Sequence, residues 1–295
     1  MVHPASCDHC PGSHTGERPC LASATVKPRS WLLLEHPGPW APKIEQMDVP
    51  LVAQALLHGV RPQLIRRPGR RPSSAATRVY VGWSGDHPWM ETRVVGDPAE
   101  FAELDLAAVA RGGRPHFGEL VEEPVLLVCT HGKRNACCAR TGAPLARGLA
   151  RRYGGMVWET THVGGDRFAA NLVCMPHALY YGGLDLASAR KAIDAYLRGE
   201  VFLDRLRGRA GLPEPAQAAE HFIRERTGLM GIDEVRVTSL TGTGPYMTRV
   251  TAGGDLWSGT VELVENPGFC GPECDVSVQT YQMRGLALHT EAVLV

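Results

Sequence analysis

Apolar positions come in a repeating order along this chain. Two short unbroken runs, "WLLL" at 31–34 and "PVLLVC" at 124–129, read as buried strands. Each is followed by helical spacing. "VPLVAQALLHG" at 49–59 ends in Gly59, and "GAPLARGLARRYGG" at 142–155 places Leu145, Leu149 and Tyr153 on one face before two glycines. A further strand comes next in each case, "QLIRRP" at 63–68 and "MVWETTH" at 156–162. Then come strand pairs: "TRVYVGWS" with "WMETRVVG" across a Gly-Asp turn, and "FAANLVCMP" with "ALYYGGL" across Pro176-His177. Both series close on a helix, "DPAEFAELDLAAVARGG" with Asp97 as N-cap and "DLASARKAIDAYLRGE" capped by Asp185.

Strand, helix, strand, strand, strand, helix is thus written twice, which predicts an internal duplication. The order is that of a thioredoxin-like unit, in which the helix carries the crossover between parallel strands and the hairpin adds antiparallel ones. The expected fold class is α/β, with two tandem thioredoxin-like units and a small C-terminal α+β region. Residues 1–28, rich in Cys, His, Pro, Gly and Ser, read as a flexible leader. The first unit spans 29–120 and the second 121–205. From 206 to 295 a helix around "PAQAAEHFIRERTG" precedes alternating strands such as "EVRVTSL" and "YMTRVTAGG".

Composition narrows the chemistry. With 44% hydrophobic residues in 295, the chain can build real cores. Acids and bases balance at 31 each, so nothing global points to nucleic acid or an anionic membrane surface. The local exception, "RPQLIRRPGRRP" at 61–72, holds five arginines and reads as a solvated loop or a docking surface for an acidic partner. No apolar stretch approaches the ~20 residues that span a bilayer, and the first residues lack the apolar core of a signal peptide. The expected compartment is the reducing cytoplasm. Nine cysteines there point to metal or redox chemistry rather than a disulfide framework. Cys7 and Cys10 form a C-x-x-C pair near His9 and His14, but no second ligand pair matches it. The first unit has no cysteine between 31 and 120.

The second unit concentrates the candidates. Cys129 stands at the carboxyl end of a strand, where ligands sit in α/β sheets. The loop "THGKRNAC" follows, with Lys133 and Arg134 as cations that favour thiolate, and Cys138 lies just before the helix. His162 occupies the equivalent end of the neighbouring strand. Gly164 and Gly165 let the backbone bend close to a bulky object, and Asp166 follows. The two loops would lie side by side.

"CTHGKRNACCARTGAPL", "HVGGDRFAANLVCMPHALYYGGLD" and the earlier "WLLLEHPGPW" together resemble the sucrase/ferredoxin-like family, whose members are similar to thioredoxin-like 2Fe-2S ferredoxins. In fungal members two cysteines and then two histidines with three residues between them hold the cluster. The resemblance implies that Cys129 and Cys138 bind one iron and His162 the other. Asp166 stands in place of the second histidine and is the provisional fourth ligand. Asn135 replaces a frequent Asp. Cys137, Cys174, and Cys270 or Cys274 in "CGPEC" are the other candidates for the fourth position. The cluster environment would comprise Cys137, Lys133, Arg134, Gly164, Gly165 and Arg167, the cations offsetting negative charge. Imidazole in place of thiolate raises the potential of such a cluster. The implied role is one-electron transfer with a reductase or flavoprotein as partner.

Two other functions stay open: a cluster-free binding or scaffold protein, and a thiol-disulfide oxidoreductase using Cys137 or Cys138. The second lacks the C-x-x-C of thioredoxins. Sugar cleavage is not expected, because Asp166 and Glu159 are the only acids near the loop and sit on independent elements. Cys174 alternates into a strand and reads as core. Trp31, Trp40, Trp83, Trp89 and Trp158 read as packing.

Overall fold

The run at 31–34 forms β1 (Ser30–Glu35), buried along nearly its whole length. In the computed structural model, residues 24–69, 76–166, 168–266 and 278–289 are described. The Cys7/Cys10 pair with His9 and His14, Arg70 and Arg71, Arg167, and Cys270 and Cys274 lie outside the described residues. After β1 come α1 (Pro50–Leu57), β2 (Arg61–Arg66), β3 (Thr77–Trp83), β4 (Trp89–Val95), α2 (Leu106–Ala110) and β5 (Glu119–Leu120). The second series is β6 (Val125–Cys129), α3 (Ala136–Tyr153), β7 (Val157–Thr160), β8 (Leu172–Met175), β9 (Leu179–Tyr181), α4 (Leu186–Leu197) and β10 (Leu206–Arg209).

The fold is α/β, with a mixed sheet and flanking helices, but the expectation of two units with separate sheets is corrected. One ten-stranded sheet runs β10-β9-β8-β6-β7-β2-β1-β3-β4-β5. A repeated pairing pattern is legible inside it. In each half a strand pairs in parallel with the strand beyond its helix, β1 with β2 and β6 with β7, and antiparallel with the first strand of a hairpin. The halves merge because β2 and β7, the outer strand of each, pair antiparallel at Ile65↔Thr160 and Arg66↔Glu159. An uncovered strand edge is a row of unmet backbone groups, and each half covers the other's.

Helices α1 and α2 bury Leu51, Val52, Ala55, Leu106 and Val109 on one face of the first half. Helices α3 and α4 bury Leu145, Leu149, Ala189 and Ile193 on the second. A further core, containing Trp31, Leu33, Tyr80, Leu127, Trp158 and Tyr180, runs across both halves and includes Cys129 and Cys138.

Two helix readings change. The segment 97–113 is not one helix. A 3-10 turn at Pro98–Glu103, capped by Asp97, ends at extended Leu104, and Asp105 starts α2 by accepting from the Ala108 amide at 2.9 Å. Helix α3 begins at Ala136, ahead of the expected 142, so Cys138 lies inside its first turn rather than before it. Arg140 and Thr141 masked that extension from an apolar pattern.

Beyond the large sheet, α5 (Glu214–Thr227) packs on an antiparallel sheet of β11 (Val235–Thr241), β12 (Tyr246–Ala252), β13 (Asp255–Asn266) and β14 (Val278–His289). Buried Arg224 binds Glu220 at 2.8 Å and the carbonyls of Leu229, Gly231 and Ile232.

One buried group makes the fold acid-sensitive. His177 follows β8, its Nδ1 2.6 Å from the Tyr196 hydroxyl. Burial, helped by Arg209, pushes its pKa from 6.5 down to about 4. A depressed folded-state pKa means the stability is intact above the unfolded value and lost as pH falls through the folded one. Acidification across that window should cost about 3 kcal/mol. Urea unfolding at neutral and mildly acid pH should show a smaller loss for His177→Leu than for the wild type; equal losses would refute the assignment.

Candidate metal centre

Strand β6 delivers Cys129 to its carboxyl end, where the Cys129 amide donates to the Asn171 carbonyl at 3.1 Å. The chain then turns through 130–135 into α3. Asn135 caps that helix, its side chain accepting from the Cys137 amide at 2.9 Å. This places Cys138 on the helix N-terminal turn, facing back toward the strand. The helix N-terminal dipole beside the pair favours negative charge on the sulfurs. From the end of β7 comes His162. One ligand atom each from Cys129, Cys138 and His162 lie within 4.8 Å of one another, and Cys138 Sγ is 3.9 Å from His162 Nδ1.

Both cysteines are 1% exposed, whereas His162 is half-buried. The Cys138 thiol and His162 hold Cys129 well below the usual thiol range, and sharing that proton raises Cys138. Two buried thiols and a half-buried imidazole, converging, form a donor set for zinc or iron rather than for a hard cation.

Residues 21–208 match the model of the sucrase/ferredoxin-like family. The chain belongs to the sucrase/ferredoxin-like family. Comparison with curated proteins gave no match, and comparison with solved structures gave none. Within this family member, the expected ligand residues Cys129, Cys138 and His162 come together as the sequence implied.

Asp166 is not among the three converging groups; its carboxylate accepts a short hydrogen bond from Asn135 Nδ2. That bond gives the Asn135 departure a physical reason. Asn135 accepts from the helix with its oxygen and donates to Asp166 with its nitrogen, whereas an Asp there would set two carboxylates face to face. Cys137 is half-buried beside the site, outside the converging set. Cys174 is fully buried in the core on α3's side of the sheet, its thiol pushed up by desolvation, as a core residue should be. Lys133 and Arg134 are exposed. No helix among the described residues is long and apolar enough to cross a membrane.

Several residues that frame the site escaped the sequence reading. His131, inside the quoted loop, accepts from the His162 amide at Nδ1 (3.2 Å), while its Nε2 lies 2.8 Å from the Ala41 carbonyl. These partners select the tautomer protonated at Nε2, and burial keeps the ring neutral by lowering its pKa. Trp40 meets His131 edge-on and lies under Arg66, so this tryptophan does more than fill space. Arg66 in turn binds buried Glu159 at 2.8 Å, which also accepts from Thr130. An acid so committed is no partner for sugar cleavage.

Arg207 of β10 is fully buried and donates to the Gly164 carbonyl at 3.1 Å and to Asn171 Oδ1 at 2.8 Å. Asn171 Nδ2 donates to the Gly165 carbonyl at 2.9 Å. Gly164 and Gly165 have positive φ, and a Cβ on Gly165 would strike Arg207 Nη2 at 2.1 Å. The bulky object that Gly165 admits is therefore this guanidinium, whereas a Cβ on Gly164 would meet nothing within 4 Å. No pattern around 207 announces it.

Proposed function

We propose that this protein is a 2Fe-2S electron carrier, with Cys129 and Cys138 as ligands of one iron and His162 of the other. The observation that carries the reading is the convergence of two buried sulfurs and one imidazole in a member of this family. A buried donor adds to the fit. The Tyr180 hydroxyl lies wholly inside the protein without a hydrogen-bond partner among the described residues, and burial raises its pKa, with a smaller contribution from the charge of Cys129. A group bound beside Cys129 would give it an acceptor. The fourth ligand on this reading is Asp166, released from Asn135, and each half of the sheet is a thioredoxin-like unit. The bound cluster supplies one-electron oxidation and reduction at a potential raised by imidazole ligation.

The chain's own residues do the rest. Cys129 and Cys138 shut water out. His131 and Arg207 fix the backbone on either side of His162. His162 is the ligand that reaches the surface. A flavoprotein or other reductase in the cytoplasm is the partner class that suits such a carrier.

A single zinc or iron ion is the second reading. Donors bound tetrahedrally to one ion at about 2.0 to 2.3 Å lie ~3.3 to 3.8 Å apart, and Cys138 Sγ lies 3.9 Å from His162 Nδ1. Anaerobic purification followed by iron and acid-labile sulfide counts, an absorption spectrum and EPR separates the two. About two irons and two sulfides per chain, with nitrogen coupling in the reduced signal, are expected. One metal and no sulfide would establish the single-ion site instead.

A further inference from the structure

A cleft of about 1110 Å³ opens directly beside the metal centre. Its inner wall is Thr161, His162 and His131, and its opposite wall belongs to the ligand-free half: Pro42–Glu45 and Gly59–Gln63. Residues 24–28 close one side. Of the three converging metal-site residues, only His162 reaches this space. Four cations stand on the walls, Lys27, Lys43, Arg61 and Arg134, against two acids, Glu45 and Glu214. Arg61 is committed to the Val163 carbonyl (3.1 Å) and the Trp31 ring. Lys27, Lys43 and Arg134 are exposed, and none has an acidic partner among the described residues. Between the charges lie Val26, Ile44 and Leu56, of which Val26 is 37% and Leu56 39% exposed.

A neutral chain thus gathers unpaired positive charge where its His162 side meets solvent. We propose that this cleft is the docking site of an acidic protein partner, whose carboxylates engage Lys27, Lys43 and Arg134 and whose apolar residues rest on Val26, Ile44 and Leu56. Complementary charge steers encounter and fixes orientation, and apolar contact retains the partner. The proposal deepens the electron-carrier reading, since a partner seated here lies against His162. It also names the work of the ligand-free half, which builds the far wall.

The test uses a fluorescently labelled octaglutamate peptide as a minimal acidic probe, followed by anisotropy with the full chain as purified. Binding should weaken steeply between low and physiological salt. The double variant Lys27→Glu with Lys43→Glu should weaken it by about tenfold or more. Metal content should not change, because neither lysine touches a ligand. Arg151→Glu with Lys191→Glu, which removes equal charge from α3 and α4 on other surfaces, should leave the peptide affinity within about twofold. An octalysine peptide should not bind. Equal losses in the two double variants, or no binding of octaglutamate, would overturn the proposal. The metal count on the same samples keeps the two readings apart. A protein that binds the peptide through Lys27 and Lys43 but holds no iron retains the docking site and loses the electron carrier; an iron-loaded protein indifferent to the peptide does the reverse.

Discussion

Cys129→Ser should abolish metal binding while the protein stays folded. The side chains are nearly the same size, and the Cys129 amide bond to Asn171 involves backbone only. Serine remains a neutral alcohol at any working pH, whereas the thiol here is already held well below its ordinary pKa by Cys138 and His162. The loss is then chemical rather than structural. Burying the hydroxyl in place of sulfur should cost about 1 to 3 kcal/mol, not the fold. Iron and zinc should drop to background by elemental analysis, with an unchanged far-ultraviolet dichroism spectrum. Cys174→Ser, a fully buried thiol in a different core, is the control that should keep its metal. Metal retained at wild-type level in Cys129→Ser would sink both metal readings.

The second large effect is expected from a residue that binds nothing. Gly142 lies one helical turn beyond Cys138 on α3, and a Cβ there would sit 2.0 Å from the Cys129 carbonyl oxygen. That oxygen is backbone and cannot swing aside. Gly142→Ala must push α3 off the end of β6, and in doing so it draws Cys138 away from Cys129. Overpacking of this kind typically costs about 1 to 3 kcal/mol, and here it acts on ligand spacing as well. A lowered thermal midpoint together with a clear loss of metal affinity is expected. Gly148→Ala, two turns further along the helix, meets only the flexible end of Leu186 and should lose some stability but keep its metal. If Gly142→Ala bound metal as tightly as the wild type, close approach of helix to strand would not be what sets the sulfur pair.

Much of this could be read from the chain. The runs at 31–34 and 124–129, the two helices behind them and the paired strands follow from apolar periodicity, and the repeated order survives as repeated pairing within the sheet. Cys129, Cys138 and His162 were legible because strand ends and their loops converge in any such sheet. The joining of the halves was not, since β2 and β7 carry no mark of antiparallel pairing; their contact is decided by which edge each half leaves open. Nor was the frame of the site. Arg207, Asn171 and Gly142 act through backbone carbonyls, which look alike in every sequence. His131 did stand in view, a second histidine in the same loop, but its role depends on Ala41 and Trp40, some ninety residues away.

The seam between β2 and β7 has one more consequence. Arg61 holds the Val163 carbonyl, the Thr161 amide donates to the Leu64 carbonyl, and the Gln63 side chain meets Thr160 and Thr161. The stretch just before His162 is therefore braced from a part of the chain that holds no ligand. Substitutions along 61–66 can retune the poise of the imidazole while Cys129 and Cys138 remain untouched. A half without ligands becomes an adjusting screw: the place where properties of the centre can drift by small steps without risking its assembly.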